Sequence, residues 1–168
     1  ANGTGQMKII RENIIELSVD VIVNSAHPTL LAGGGVSGAI HRAAGPALEA
    51  AAKPLGPIDP GHAVTTKAFD LTAKYVIHAV APRYLRKTHE EEILLVKTYV
   101  SALTEFGKLG GMKSLAFPAM GTGIYGWPLE TAARIAISVL KNSSVEELVI
   151  CVFDGAAEQA FSTAVEEY

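Results

Sequence analysis

Val19-Asp20-Val21-Ile22-Val23-Asn24 leads, after a short loop, to Gly33-Gly34-Gly35-Val36-Ser37-Gly38 and then to Ala39-Ile40-His41-Arg42-Ala43-Ala44. The first segment predicts a buried strand over 19–24, because β-branched side chains suit a covered, pleated surface. Residues 26–35, with Pro28 and three glycines, predict a loop. Val36, Ile40 and Ala43 or Ala44 share one face at i, i+4 and i+7 or i+8, which predicts a helix over 36–44. Strand, glycine loop and helix in succession is the building unit of an α/β sheet.

Working outward, the same alternation recurs. Strands are expected at 7–11, 62–67, 74–80, 114–119 and 145–153, and helices at 47–53, 90–109, 128–142 and 155–166. Gly45-Pro46 interrupts the first helical stretch, and residues 54–61 hold three prolines and two glycines, so they form a loop. The long helix is expected to turn Ile93, Leu94, Val96, Val100, Leu103 and Phe106 inward. Pro128 is expected in the first turn of its helix. The pattern predicts an α/β sandwich on a largely parallel sheet, with 62–67 and 74–80 antiparallel because their link is short. Ligands of such sheets sit beyond the carboxyl ends of the strands.

The bulk properties narrow the function. The 168 residues suit one domain over 7–168, with 1–6 read as a flexible leader or expression remnant before Met7. The net charge is −3 and no basic stripe occurs, so no nucleic-acid partner is expected. There is no apolar run of membrane-spanning length and no signal peptide, which implies no membrane partner and a cytoplasmic protein. The lone Cys151 lies in an apolar strand and reads as a buried thiol. No histidine, cysteine and acid cluster has zinc-site spacing, so neither metal nor cofactor is expected.

Two loops fit G-x-G-x-x-G: Gly33 to Gly38, and Gly121-Thr122-Gly123-Ile124-Tyr125-Gly126. Each follows a strand and is expected to open a helix. Glycine lets an anion approach the main chain without a Cβ in the way, and a helix start supplies free N–H donors and partial positive charge. Either loop alone reads equally as a tight connection. Two at corresponding strand ends point to a diphosphate, which needs donors on both sides. The competing dinucleotide fingerprint requires a tight turn directly after its strand and an acid about 20 residues on. Asn24 and Gly33 lie nine positions apart, and the acids at that offset, Asp59 and Glu146-Glu147, fall in a proline-rich loop and at a strand start.

Val21-Ile22-Val23-Asn24-Ser25-Ala26, Leu30-Leu31-Ala32-Gly33-Gly34-Gly35-Val36 and Gly38-Ala39-Ile40-His41-Arg42-Ala43-Ala44-Gly45-Pro46 resemble the macrodomain family, chiefly its stand-alone bacterial and MacroD-type members. The likeness continues through Gly61-His62-Ala63-Val64, Tyr75-Val76-Ile77-His78 and Phe117-Pro118-Ala119 to Gly126. The resemblance implies a three-layer α/β/α sandwich around a mixed sheet, and ADP-ribose as ligand. It implies that Gly33, Gly34, Gly35 and Val36 form one diphosphate loop, and Gly121, Thr122, Gly123, Ile124 and Tyr125 the other. It places Asn13, Ile14 and Phe153 at the adenine and Asn24 near the distal ribose.

Three positions depart from the family pattern. Relatives usually carry aspartate at Asn13, where the carboxylate accepts from the adenine amine; a neutral amide implies binding weaker by roughly tenfold at most. Hydrolytic relatives carry asparagine at His27, where it fixes the distal ribose hydroxyls. MacroD-type enzymes carry at Ser37 an aspartate implicated in orienting the attacking water. His27, Asn24 and Ser37 are therefore the catalytic candidates. The implied reaction is hydrolysis of mono-ADP-ribose from protein carboxylates, or of the acetyl ester of O-acetyl-ADP-ribose. A reader module without turnover stands beside it, and a Rossmann-like NAD-binding protein stands far behind.

Other residues have plainer readings. His41, one turn past Ser37, could form a Ser–His pair but reads as a helix-surface histidine. His78 reads as a satisfied histidine within its strand, and Glu90-Glu91-Glu92 as a solvated helix start. Trp127 fits core or rim, and Tyr125 fits the rim.

Overall fold

The computed structural model describes residues 6–168. The leader expected over 1–6 lies outside them but for Gln6, which opens the first strand. In chain order the elements are β1 (Gln6–Arg11), β2 (Val21–Ser25), α1 (Gly35–Ala44), α2 (Pro46–Ala52), β3 (Ala63–Lys67), β4 (Tyr75–Ala79), α3 (His89–Leu109), β5 (Ser114–Pro118), α4 (Leu129–Leu140), β6 (Glu147–Val152) and α5 (Gly155–Glu167). The strands lie in the order β1-β6-β5-β2-β4-β3. Neighbours are parallel except β3, which runs antiparallel to β4. The expected mixed, largely parallel sheet is the one observed.

Alternation along the strands builds the three layers, because successive side chains leave a strand on opposite faces. Val21 and Val23 join Ile77, Leu115, Phe117 and Ile150 against α3, α4 and α5. Ile22, Val76, Ala116 and Cys151 face the other way, onto Ile40, Ala44 and Leu48 of α1 and α2. Asp20 ties three strands at their amino ends. Its carboxylate accepts from Lys113 N–H at 2.7 Å and Ser114 N–H at 3.2 Å, and its carbonyl accepts from Lys74 N–H at 2.7 Å. The bond from Lys113 N–H above all, with that from Ser114 N–H, holds the Asp20 carboxyl below its ordinary range.

The buried face of α3 differs from the expected one. Leu95, Thr98, Tyr99, Ala102 and Phe106 are buried, while Ile93 and Val100 are about half exposed. The helix carries apolar residues around more than one face, and the ring of Tyr99 decides its rotation. Tyr99 packs on Phe117 with 5.4 Å between centroids, and its hydroxyl accepts from Met120 N–H at 3.2 Å. A buried Tyr needs a partner for its oxygen, and on this face Met120 N–H supplies it. At its amino end, Thr88 and Glu91 form a reciprocal capping box.

All strands but β3 end on one edge of the sheet. Along that edge the exits of β6, β5 and β2 follow one another, so the segments after residues 152, 118 and 25 become neighbours.

Candidate functional site

The first glycine loop begins at the exit of β2. His27 carbonyl accepts from Leu30 N–H at 2.8 Å and closes a turn. Ala32 N–H donates to Glu49 Oε2 at 2.7 Å, so α2 tethers the loop from below. Gly34 then caps α1 in an extended conformation, and Gly35 enters the helix with φ +56. Gly34 brings no side chain to satisfy the first-turn N–H groups, and that turn holds no acid. A Cβ built on Gly33, Gly34 or Gly35 would meet nothing within 4 Å. Gly38 differs, since its Cβ would lie 2.4 Å from Gly33 O. Exposed main chain, open space in front and a bare helix start make a place for an anion.

The second loop follows β5 but stops short of α4. Trp127 and Pro128 intervene, with Pro128 at the N-cap rather than in the first turn. The expectation that this loop opens a helix fails because Trp127 turns into the core, 3% exposed, and donates from Nε1 to Pro82 O at 2.8 Å. Gly121 (φ +86) lies against that indole, and Gly126 (φ +82) returns the chain. Tyr84 stacks on Trp127 at 4.2 Å, and its N–H donates to Tyr125 O at 2.9 Å. Arg83 lies 5.2 Å over the Tyr125 ring. Tyr125 is half-buried at the rim, while Gly123 and Ile124 are exposed.

Beneath the first loop lies a buried polar floor. Asn24 is fully buried; its Nδ2 donates to Ser37 Oγ at 3.4 Å and to His78 Nδ1 at 3.3 Å. Thr66 Oγ1 donates to Lys67 O at 2.9 Å, so its oxygen accepts from His78 Nε2–H at 3.0 Å. His78 is thus satisfied on both nitrogens and neutral; burial, then the neighbouring His41, push its pKa down to about 3. His41 faces the same region, 6.3 Å from His78 between ring centroids.

This floor corrects one expectation. Asn24, which the resemblance puts near the distal ribose, is buried beside Ser37, and its Oδ1 has no partner among the described residues. His41 is not a helix-surface residue: it is buried, because α1 turns the 37, 40, 41 and 44 face toward the sheet. Burial lowers its pKa, with Glu49 opposing. No Ser–His pair forms, since the Ser37 partner is Asn24 and both His41 nitrogens lack a partner among the described residues.

A cavity of about 200 Å³ opens beside the amino end of α1, lined by Asn13, Ile14, Gly35, Val36, Cys151 and Phe153 among others. Its walls are largely apolar. Asn13 caps a short 3-10 turn at Ile14–Glu16, its Oδ1 accepting from Ile15 N–H at 3.3 Å. Phe153 stands at the rim, 74% exposed. Cys151 is buried in the floor and its thiol is pushed up to about 12, so it is an inert wall. His27 stands exposed at the exit of β2, its Nδ1 against Thr29.

The structure therefore gathers the first loop, Asn13, Ile14 and Phe153 around one cleft, with the second loop and His27 at neighbouring strand exits. Sequence reasoning missed Glu49, Thr66 and the burial of His41. The 37-40-41-44 spacing could have exposed the last; nothing local marks the other two. Among the described residues no three histidines, cysteines or acids converge on a metal position, and no helix is long and apolar enough to cross a membrane.

A family model described as Macro domain matches residues 23–136. The chain is 46% identical over 143 residues to the O-acetyl-ADP-ribose deacetylase of Cronobacter turicensis, covering 83% of this chain and 81% of that one. It is 43% identical over 159 residues to the human ADP-ribose glycohydrolase MACROD2, covering 89% of this chain and 37% of that one. A solved structure of an Oceanobacillus iheyensis macrodomain variant with ADPR superposes with a TM-score of 0.92 at 30% identity, covering 98% of this chain and 94% of that one.

Proposed function

The chain belongs to the macrodomain family, and from that premise we propose that residues 7–168 act as one macrodomain that binds ADP-ribose and hydrolyses its esters. The substrates would be mono-ADP-ribose on protein carboxylates or O-acetyl-ADP-ribose; two relatives are named O-acetyl-ADP-ribose deacetylase and ADP-ribose glycohydrolase. The observation that carries this reading is the open face of Gly33, Gly34 and Gly35 at the start of α1, beside a largely apolar cavity. The strand order gives the ligand its direction. A base lies in the cavity after β6, a diphosphate lies between the two glycine loops, and the distal ribose lies toward His27 after β2. These exits span about 10 Å, two strand spacings.

In this reading Ile14, Val36 and Phe153 hold the base, with Asn13 at its edge. Main-chain N–H groups of 33–36 and 121–125 hold the diphosphate, which explains how an acidic protein binds an anion. Catalysis is then mainly positioning. For the protein ester, water attacks the anomeric carbon, the carbon–oxygen bond breaks to release the carboxylate, and one proton of the water passes through a diphosphate oxygen to solvent. For the acetyl ester, water attacks the acyl carbon, the bond to the ribose oxygen breaks, that oxygen takes one proton of the water, and the acetic acid formed gives its proton to solvent. Asn24 fixes Ser37 Oγ as an acceptor, which leaves the Ser37 proton free to donate. No cofactor takes part. The partner is free ADP-ribose or an ADP-ribosylated protein, nucleic acid and membrane are not partners, and the setting is cytoplasmic.

One observation favours the reader alternative: the first turn of α1 holds no acid to orient water. Titrating ADP-ribose calorimetrically is expected to give saturable heat; none at millimolar ligand overturns the site. Incubation with an auto-modified ADP-ribosyltransferase then decides turnover. Release of the label supports the hydrolase, and a label that persists at high protein concentration establishes the reader.

A further inference from the structure

Three of the chain's 14 lysines and arginines, Arg83, Arg86 and Lys87, fall within five positions of the segment that joins β4 to α3. In a chain of net charge −3 that is a local excess of cations. All three are exposed, and so is Leu85 between them, 74% open to solvent. The acids that follow are mostly engaged elsewhere. Glu91 turns its carboxylate onto the backbone of the segment, accepting from Leu85 N–H at 3.1 Å and from Arg86 N–H and Thr88 N–H at 3.0 Å. Glu92 pairs with Arg134 at 3.3 Å. Among the described residues none of the three cations has an ion-pair partner, and only Glu90 is left to offset them. The Glu91 clamp takes up the main chain and leaves the side chains facing water. On its other side the segment is stapled to the second glycine loop, through Trp127 Nε1–H on Pro82 O at 2.8 Å, Tyr84 N–H on Tyr125 O at 2.9 Å and the Arg83 guanidinium 5.2 Å over the Tyr125 ring.

Along the sheet edge the strand exits run β6, β5, β2 and β4. Ala26 N–H donates to Ala79 O at 2.9 Å, which sets the start of this segment beside the start of the first loop. With the base after β6 and the distal ribose after β2, the next exit in line is that of β4. We propose that residues 83–87 dock the polypeptide that carries the ADP-ribose, and that they select segments rich in aspartate and glutamate around the modified carboxylate. The proposal rests on the ADP-ribose reading above. Charge complementarity names the partner: three unpaired cations meet the free carboxylates that flank a modified one. Exposed Leu85 adds an apolar contact that a polypeptide can use. Nucleic acid fits less well, because a phosphate backbone is tracked by cations spaced along a groove, and these three share one short loop.

The test titrates free ADP-ribose and two peptides of one length that carry ADP-ribose through a stable amide in place of the ester. One peptide is flanked by aspartate and glutamate, its twin by asparagine and glutamine. At low ionic strength the native chain is expected to bind the acidic peptide about tenfold more tightly than the twin, the combined effect of a few exposed charge pairs. Half-molar salt is expected to remove most of that preference, because it screens exposed charges. Arg86→Gln with Lys87→Gln is expected to cut the preference below about threefold. Free ADP-ribose affinity and the urea midpoint should stay unchanged in that variant, since both side chains stand in solvent. Arg86→Glu with Lys87→Glu is expected to reverse the preference. Equal affinity of the native chain for the two peptides, with free ADP-ribose still bound, overturns the proposal and leaves the reading of the site standing. A preference that survives in the glutamine pair overturns it equally. An oligothymidylate carrying the same ADP-ribose and bound more tightly than the acidic peptide would give the loop to nucleic acid and overturn the polypeptide partner. Failure of free ADP-ribose to bind at all overturns the site reading and the docking proposal together.

Discussion

In the first glycine loop a Cβ on Gly33, Gly34 or Gly35 would meet nothing within 4 Å, whereas in the second a Cβ on Gly121 would lie 2.6 Å from Trp127 Cδ1. Both loops match the same six-position pattern. In the first, three successive glycines leave a void before the main chain, and the helix follows at once. In the second, Gly121 admits an indole, Gly126 reverses the chain at φ +82, and only Gly123 faces open space. The pattern thus records that small residues are required without saying what occupies the room. Beside the first loop a ligand would use it; in the second it is used mostly by the protein itself.

Gly121→Ala breaks this comparison most strongly. The new methyl would strike Trp127 while the residue holds a left-handed φ of +86. Overpacking and backbone strain together are expected to destabilise the fold by about 3 kcal/mol, read as a lower urea midpoint at unchanged slope. An alanine variant as stable as the native chain would show that the indole can withdraw freely.

Gly34→Glu is the converse. Gly34 is exposed, its φ of −93 suits any residue, and its Cβ is unobstructed, so the urea midpoint is expected to stay put. ADP-ribose affinity is expected to fall by more than about a hundredfold, because a carboxylate then stands where the diphosphate must approach. Retained affinity would move the ligand off this loop. A simultaneous fall in stability would erase the distinction between the loops.

The same contrast shows what the sequence could convey. Val21 to Asn24 and the glycines after it announced strand, loop and helix, because period-2 burial and helix breaking act locally. The candidate cleft was legible in the same way, since its parts are short segments at strand exits. The rotation of α3 was not, because it depends on a hydroxyl partner, Met120 N–H, lying 21 positions from Tyr99. The Glu49 tether on Ala32 and the Asn24–His78–Thr66 chain depend equally on pairs brought together only by the sheet. Departure of the second loop from the helix-opening pattern had a local sign, Trp127-Pro128, but its meaning lay in Pro82 O, 45 positions away.

The loops also rest on different floors, and acid should distinguish them. Tyr99 and Trp127 support the second loop without a titrating histidine. The first lies over Asn24, Ser37, His41 and His78, of which His78 stays neutral down to about 3. In the unfolded chain the same ring takes its proton near 6.5. Between those values the unfolded state binds more protons than the folded one, so stability falls as pH falls. The expected loss from His78 alone is about 1.4 kcal/mol per pH unit below 6.5, and His41, also lowered by burial, acts in the same direction. Asp20 and Glu91, whose carboxyls are held low by backbone N–H donors, contribute only where carboxylates titrate, below about 4.5. Urea denaturation between pH 7 and 5 therefore isolates the histidines. His78→Gln, which can still pair with Asn24 and Thr66, should lower stability overall yet flatten the slope. A native chain equally stable at pH 7 and pH 5 would mean that His78 is protonated in the folded state, and that the ordered chain from Thr66 to Ser37 runs in another direction.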